Sequence, residues 1–442
     1  MRLFGVSTLV VGMKKSGIAS AKMLLQHGAY VRATDLKPMR ELPGVAELGI
    51  PFDVQTPDVF EGCDLIVLSP DVPADLALLE DARRRGVRVI GEVELAAPFL
   101  KGRTIGITGS NGKTTTTSLV GHILREAGVP VQVGGNIGVP VTAMVGSSRE
   151  DGWNVLELSS FQLETIDEFR AEIGLALNVT QNHLDRHHTF ERYAEAKGRL
   201  FETQRRGDCA VLNADDATCV KYAGLTEGEA LWFSSRHEVE RGATLAGTQL
   251  MLLGAPLMDA AEIPIRGRHN IENVLAAALA ASRAGVSHEA IAAAVRSFRA
   301  VEHRLEFVRK LDGVEFYNDS KATSVDATLK ALDAFAGGVW VILGGKDKGL
   351  DYAALRAPLT EKAKAALLIG AAAEKIAEQI EGSVELVQAG TVAGAVEHAF
   401  AHAAAGDTVL LAPACASFDQ FQSYEHRGQA FKEIVNQLQA RN

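Results

Sequence analysis

The segment from Arg103 to Thr117, RTIGITGSNGKTTTT, places an apolar strand, a glycine-rich loop and a threonine-rich helix start in immediate succession. In such a pattern glycines let backbone N–H groups close around phosphate oxygens. A lysine adds a point charge, and the hydroxyl after it can ligate a hard cation at the helix N-terminus. Thr108 to Thr115 supplies each part: Gly109, Asn111 and Gly112 form the loop, Lys113 carries the charge, and Thr114 and Thr115 open the helix. The spacing is a variant of G-x-x-x-x-G-K-[ST], because Ile107 stands five before Gly112 and the earlier glycines fall at Gly106 and Gly109. A chain carrying this loop is expected to be an α/β protein in which a mostly parallel sheet presents it.

At 442 residues the chain is too long for one hydrophobic core. Three units are expected. Residues 1–95 open with a βαβ pattern around Thr8–Val11, a glycine turn at Gly12–Gly17 and a second strand ending at Asp35, which reads as a Rossmann-like domain. Residues 96–299 hold the phosphate loop, with a mostly parallel sheet, a small antiparallel annex between Ala230 and Ile265, and an alanine-rich helix pair. Residues 300–442 alternate strands and helices again and read as a second Rossmann-like sheet.

A formal charge of -10 argues against a nucleic-acid binder, which needs a basic surface to displace counterions. Phosphate must therefore meet a local site. Cys63, Cys209, Cys219 and Cys415 form no metal-ligand spacing and read as reduced thiols of a cytoplasmic protein. No apolar stretch approaches the roughly 20 residues a membrane span needs, so no membrane insertion is expected.

Several residues stand out on chemical grounds. Glu157 ends the apolar strand Val155–Leu158, where a carboxylate can hold Mg²⁺ through hard oxygen ligation. On a helix from Phe190 to Gln204, Phe190, Tyr193, Leu200 and Phe201 form one apolar face, and Lys197 falls on it. A lysine stem can snorkel from such a stripe to water. Burial instead favours the neutral amine, which can add CO₂ to become a carbamate and so an anionic oxygen ligand. In the first unit, Lys14 occupies the place of the second glycine of G-x-G-x-x-G and counts against NAD(P). Ser417, with Gln420 three residues on, reads as the N-cap of a helix in a capping box. His187 and His188 read as surface residues.

The variant loop, the segment VLELSSFQLE (Val155–Glu164) and the segment PACASFDQF (Pro413–Phe421) resemble the Mur ligase family, in particular its D-glutamate-adding branch. The resemblance covers essentially the whole chain. It implies an ATP-dependent, amide-forming ligase of peptidoglycan precursor synthesis with UDP-N-acetylmuramoyl-L-alanine and D-glutamate as substrates and two Mg²⁺ ions. A monomer is expected. By resemblance, Thr114, Glu157, His183 and a carbamylated Lys197 hold metal, and Lys113, His183, Lys197, Arg304 and Lys321 serve catalysis. Asn270, Arg304 and Asp319 join the phosphate loop in binding ATP. Ser16, Asp35, Asn136 and Ser159 are assigned to the muramyl substrate, with Thr323, Lys348, Ser417 and Tyr424 on the amino-acid side. Three residues depart from the family pattern here: Asp71 follows Ser69-Pro70 where glycine is common, Lys346 precedes Lys348 in GGKDKG, and Tyr424 stands where phenylalanine is common.

Overall fold

The computed structural model describes residues 1–299 and 301–441; Ala300, the expected first residue of the third unit, and Asn442 lie outside it. The chain forms two compact bodies, Met1–Glu262 with Ile271–Ser297, and Ile263–Asn270 with Phe298–Asn442.

The first body contains two sheets. In the smaller one, Phe52–Val54, Tyr30–Asp35, Ser7–Val11, Leu65–Leu68 and Arg88–Gly91 lie side by side in that order, all parallel. Strand order reverses at Ser7–Val11, and the turn after that strand is where an open α/β sheet leaves a crevice for ligand. The larger sheet has nine strands, with Arg103–Thr108 between Ile173–Ala176 and Trp153–Glu157. The expected antiparallel annex is narrower than its sequence suggests. Glu229–Ser234 and Gly242–Ala246 continue the parallel ladder, and only Gln249–Leu252 and Ala255–Asp259 run antiparallel at the edge. Gly242 permits this, since a Cβ there would lie 1.7 Å from Trp232 O.

A short segment ties the two sheets together. Gly91 N donates to Thr165 O at 3.2 Å. Glu92 Oε1 accepts from Thr142 N (2.7 Å) and Thr142 Oγ1 (3.1 Å), while its Oε2 is buried without a partner. Glu94 accepts the backbone N–H groups of Asp167, Glu168 and Phe169 at 2.8–3.1 Å. Both carboxylates are buried, and burial pushes Glu92 up to about 7.

The second body is built on one six-stranded sheet. Glu306–Leu311 pairs antiparallel with Val314–Asn318, and the rest of the sheet is parallel in the order Val314–Asn318, Thr408–Leu411, Val339–Gly344, Ala363–Ile369, Glu385–Gly390. Val339–Gly344 is buried throughout, as a central strand covered on both faces should be. Among the described residues no helix is long and apolar enough to cross a membrane.

Candidate active site

The phosphate loop follows Arg103–Thr108, and the helix Lys113–Glu126 starts directly from it. Gly112 is the N-cap at φ 83°, a left-handed conformation natural to glycine, and a Cβ there would sit 2.4 Å from Asn273 Oδ1. The loop is held from outside. Ser110 N donates to Asn178 O (2.8 Å), Asn111 N to Asn178 Oδ1 (2.9 Å), and Ser110 Oγ shares a 2.9 Å hydrogen bond with Tyr193 OH. Lys113 Nζ donates to Gly109 O (2.8 Å) and Ser110 O (3.0 Å), which places its charge over the loop. Thr114 is buried and Thr115 half-buried at the helix start.

Lys197 lies beneath this loop on the helix Phe190–Glu202 and is 1% exposed, so its stem does not snorkel to water. Its Nζ donates to Gly109 O at 2.9 Å and stands 4.6 Å from the Tyr193 ring centre. Burial, reinforced by the nearby charge of Lys113, lowers its pKa well below that of an ordinary lysine, against the opposing pull of Cys219 and Glu157. Burial therefore favours the neutral amine over the ammonium. Glu157, also buried, ends the neighbouring strand Trp153–Glu157; its Oε1 accepts from Asn136 Nδ2 at 2.7 Å. Its Oε2 is buried and unpartnered. Unpaired buried carboxylate oxygens are costly and call for a cation or a donor. The residues thus fit a hard cation beside a phosphate group. Among the described residues no group of three His, Cys, Asp or Glu side chains is placed to hold a metal alone.

His183 is exposed in a left-handed backbone conformation, φ 53°, with its ring 4.9 Å from that of Phe161 and 6.3 Å from that of Tyr193. Such a conformation is strained for histidine and is characteristic of functional loops. His187 is not a surface residue. It is buried, with Nε2 against Ser160 Oγ and Nδ1 against Glu164 Oε1, each at 2.9 Å, because the turn Leu184–His187 folds it inward onto the helix Ser160–Leu163. His188 does face solvent, near Asp75.

Ser16 and Asn136 line one cleft of about 310 Å³, together with Lys14, Ser69, Asp71 and Gln162. Asp35 is not among its lining residues; its carboxylate accepts from Met13 N (2.7 Å) and Lys37 N (3.0 Å) and so shapes the glycine turn. Ser159 caps the helix Ser160–Leu163 in a reciprocal box with Gln162. A larger groove, about 670 Å³, runs past Arg83, His188, Arg192 and Glu202; its opposite charges are intermixed and it includes no phosphate-loop residue.

In the second body Asp319, Lys321, Thr323, Lys348, Ser417 and Tyr424 follow the C-terminal ends of three adjacent strands, while Arg304 precedes the strand Glu306–Leu311. Asp319 is buried and pushed up to about 7 by desolvation, against the pull of Arg304. Lys321 Nζ lies 3.7 Å from the centre of the Tyr424 ring, and Lys348 Nζ donates to Thr323 O at 3.1 Å. Arg427, missed in the sequence, is 1% exposed and joins two of these loops by donating to Ser320 O and Cys415 O. Asn270 donates to Arg266 O at the start of the helix Arg268–Arg283. Ser417 caps no helix. Gln420 N and Phe421 N bond back to Ser417 O in a single turn, the Gln420 side chain reaches Gly390 O, and the helix Tyr424–Gln437 begins later, capped by Ser423.

Comparison with known proteins identifies the family. The family model of the Mur ligase middle domain matches residues 107–281, and that of the Mur ligase, glutamate ligase domain matches residues 303–415. The UDP-N-acetylmuramoylalanine--D-glutamate ligase of Solibacter usitatus is 80% identical over 442 residues, the whole of both chains. The enzyme of the same name from Acidobacterium capsulatum is 52% identical, covering 98% of this chain and 97% of its own. In fold, the chain is similar to the UDP-N-acetylmuramate-alanine ligase of Thermotoga maritima (TM-score 0.61, 18% identity, 98% and 99% covered). It is equally similar to a pseudomurein peptide ligase from Methanothermus fervidus (TM-score 0.61, 19% identity, 98% and 100% covered). The match extends through both bodies, and with it the chain belongs to the Mur ligase family.

Proposed function

We propose that the protein joins D-glutamate to the L-alanine carboxylate of UDP-N-acetylmuramoyl-L-alanine with consumption of ATP, a cytoplasmic step of peptidoglycan precursor synthesis. The observation that carries this reading is Lys197 and Glu157 buried together under a phosphate loop, one as a depressed amine and the other with an unpaired oxygen. A carboxylate is a poor electrophile, so an amide forms in water only after a better leaving group is installed. The alanine carboxylate oxygen attacks the γ-phosphorus of ATP, ADP leaves, and an acyl phosphate results. The amine of D-glutamate then adds to the acyl carbon, gives up a proton, and inorganic phosphate departs with the C–O bond.

In the first body, the loop N–H groups and Lys113 bind phosphate oxygens, and Asn136 and Ser16 hold the muramyl substrate. Thr114, Glu157, His183 and a carbamylated Lys197 would hold Mg²⁺, which when bound offsets the charge repulsion between carboxylate and triphosphate. In the second body, Arg304, Asp319, Lys321 and Asn270 serve the nucleotide. Thr323, Lys348, Ser417 and Tyr424 serve the incoming amino acid. The test is phosphate release from ATP in the presence of the muramyl substrate with D-glutamate, L-glutamate, lysine or meso-diaminopimelate. Release with D-glutamate far above the others is expected; equal rates with all four overturn the assignment.

A further inference from the structure

The loop that carries Lys348 is folded by the residue before it. Gly344 and Gly345 leave the sheet at φ 122° and 134°, and a Cβ on Gly345 would meet Ala416 O at 2.3 Å. This close approach lets Lys346 and Ala416 exchange two backbone hydrogen bonds, 2.8 and 3.2 Å, next to Ser417. Asp347 then turns the chain. Its Oδ1 accepts from Gly349 N (3.0 Å), Leu350 N (3.3 Å) and Tyr352 OH (2.9 Å), and its Oδ2 from Lys375 Nζ (2.8 Å). Those donors, Lys375 foremost, hold its carboxyl down at about 2, so it stays ionised at any working pH.

Tyr352 is fully buried, and its hydroxyl also lies 3.0 Å from the thiol of buried Cys415. An ionised carboxylate only accepts, so the phenol proton points to Asp347 and the thiol donates to the phenol oxygen. Cys415, Tyr352 and Asp347 therefore form one directed chain. It begins two residues from Ser417 and ends one residue from Lys348.

We propose that Asp347 is a positioning residue that sets where the Lys348 ammonium stands relative to Ser417 and Thr323, and thereby the affinity for the amino-acid substrate's carboxylate. The proposal rests on the reading that Lys348 receives a carboxylate of D-glutamate. A long lysine side chain gains from ordering before the ligand arrives, because the entropy of holding it is then not lost on binding. Asp347 supplies that order through the backbone of the turn, without itself touching substrate.

The test uses the full-length enzyme and steady-state kinetics in which each substrate is varied in turn. Asp347→Ala should raise KM for D-glutamate by about tenfold or more, the loss of a charge-assisted network, with KM for ATP and for the muramyl substrate within about twofold. Asp347→Asn keeps an acceptor for Gly349, Leu350 and Tyr352 and should restore most of the affinity. Tyr352→Phe, which retains the packed ring, should fall between the two and decides the matter if the alanine variant does not fold. An unchanged KM for D-glutamate in these variants, or a uniform rise for all three substrates, overturns the proposal. If Lys348→Ala abolishes saturation by D-glutamate while Asp347→Ala does not affect it, positioning fails and the proposed function stands. If the unaltered enzyme shows no D-glutamate dependence at all, the proposed function itself fails.

Discussion

Lys14 Nζ and Asp71 Oδ2 stand 2.7 Å apart, so the residue replacing a glycine of the dinucleotide fingerprint is paired with the one that follows Ser69-Pro70. Two sequence departures are thus one structural feature. Both residues line the cleft that also holds Ser16 and Asn136. Their side chains are 73% and 63% exposed, and an ion pair so open to water contributes at most about 1 kcal/mol to stability. Its effect should therefore appear in binding.

Asp71→Gly should free the Lys14 ammonium to attract an anionic substrate. KM for the muramyl nucleotide should fall by about threefold at low salt, and the gain should shrink as ionic strength rises. The double variant Lys14→Ala/Asp71→Gly should lose the gain entirely. An effect that persists in the double variant would assign it to loop flexibility, not to the released charge.

Lys197→Met replaces the buried amine with an apolar chain of similar length. Turnover should drop by on the order of 100-fold or more, the usual cost of losing one preorganised electrostatic contact, while the unfolding temperature holds or rises. Removing dissolved CO₂ should slow the unaltered enzyme and leave the residual rate of the variant unchanged. Near-normal turnover in the variant would exclude the carbamate.

The phosphate loop and Lys197 were legible in sequence because each depends on a local pattern: strand, glycines and lysine in one run, or a lysine in an apolar stripe at helical spacing. Other features were not legible because their partners are far apart. Ser110 and Tyr193 meet across 83 residues, and Glu92 and Thr142 across 50. Ser159 and Ser417 each precede a glutamine by three, yet only Ser159 forms the capping box, since Gln420 is drawn away to Gly390. The pattern states what a cap can do, and tertiary contacts decide where it is used. His187 was misplaced for the same reason: its inward turn depends on Ser160 and Glu164.

Glu92 gives a pH-dependent stability with a defined sign. Its folded value of about 7 lies above the ordinary glutamate value of 4.5, so the folded state retains a proton that the unfolded chain releases. Stability should fall as pH rises from about 4.5 to 7, by up to about 1.4 kcal/mol per pH unit at its steepest. Glu92→Gln mimics the protonated form and should flatten this decline, gaining on the unaltered protein as pH rises to 8. Urea denaturation at several pH values checks it; parallel pH profiles for the two proteins would show that Glu92 titrates in the fold as it does in the unfolded chain.

Tyr193→Phe removes one hydroxyl from the support of the phosphate loop and leaves its ring packed. The phenol is buried and burial pushes it up to about 12, so it remains protonated and available to hydrogen-bond Ser110 Oγ at working pH. Ser110 Oγ also donates to Thr180 O at 3.0 Å and accepts from Thr180 N at 2.9 Å, so the loop loses one tether of several. One neutral hydrogen bond contributes about 1 kcal/mol, which corresponds to roughly a fivefold change in an equilibrium constant. KM for ATP should therefore rise by about that factor, and KM for D-glutamate, whose assigned residues lie in the other body, should stay the same. Steady-state kinetics of the variant measure both. A rise confined to D-glutamate would mean that Tyr193 acts on something other than the loop it touches.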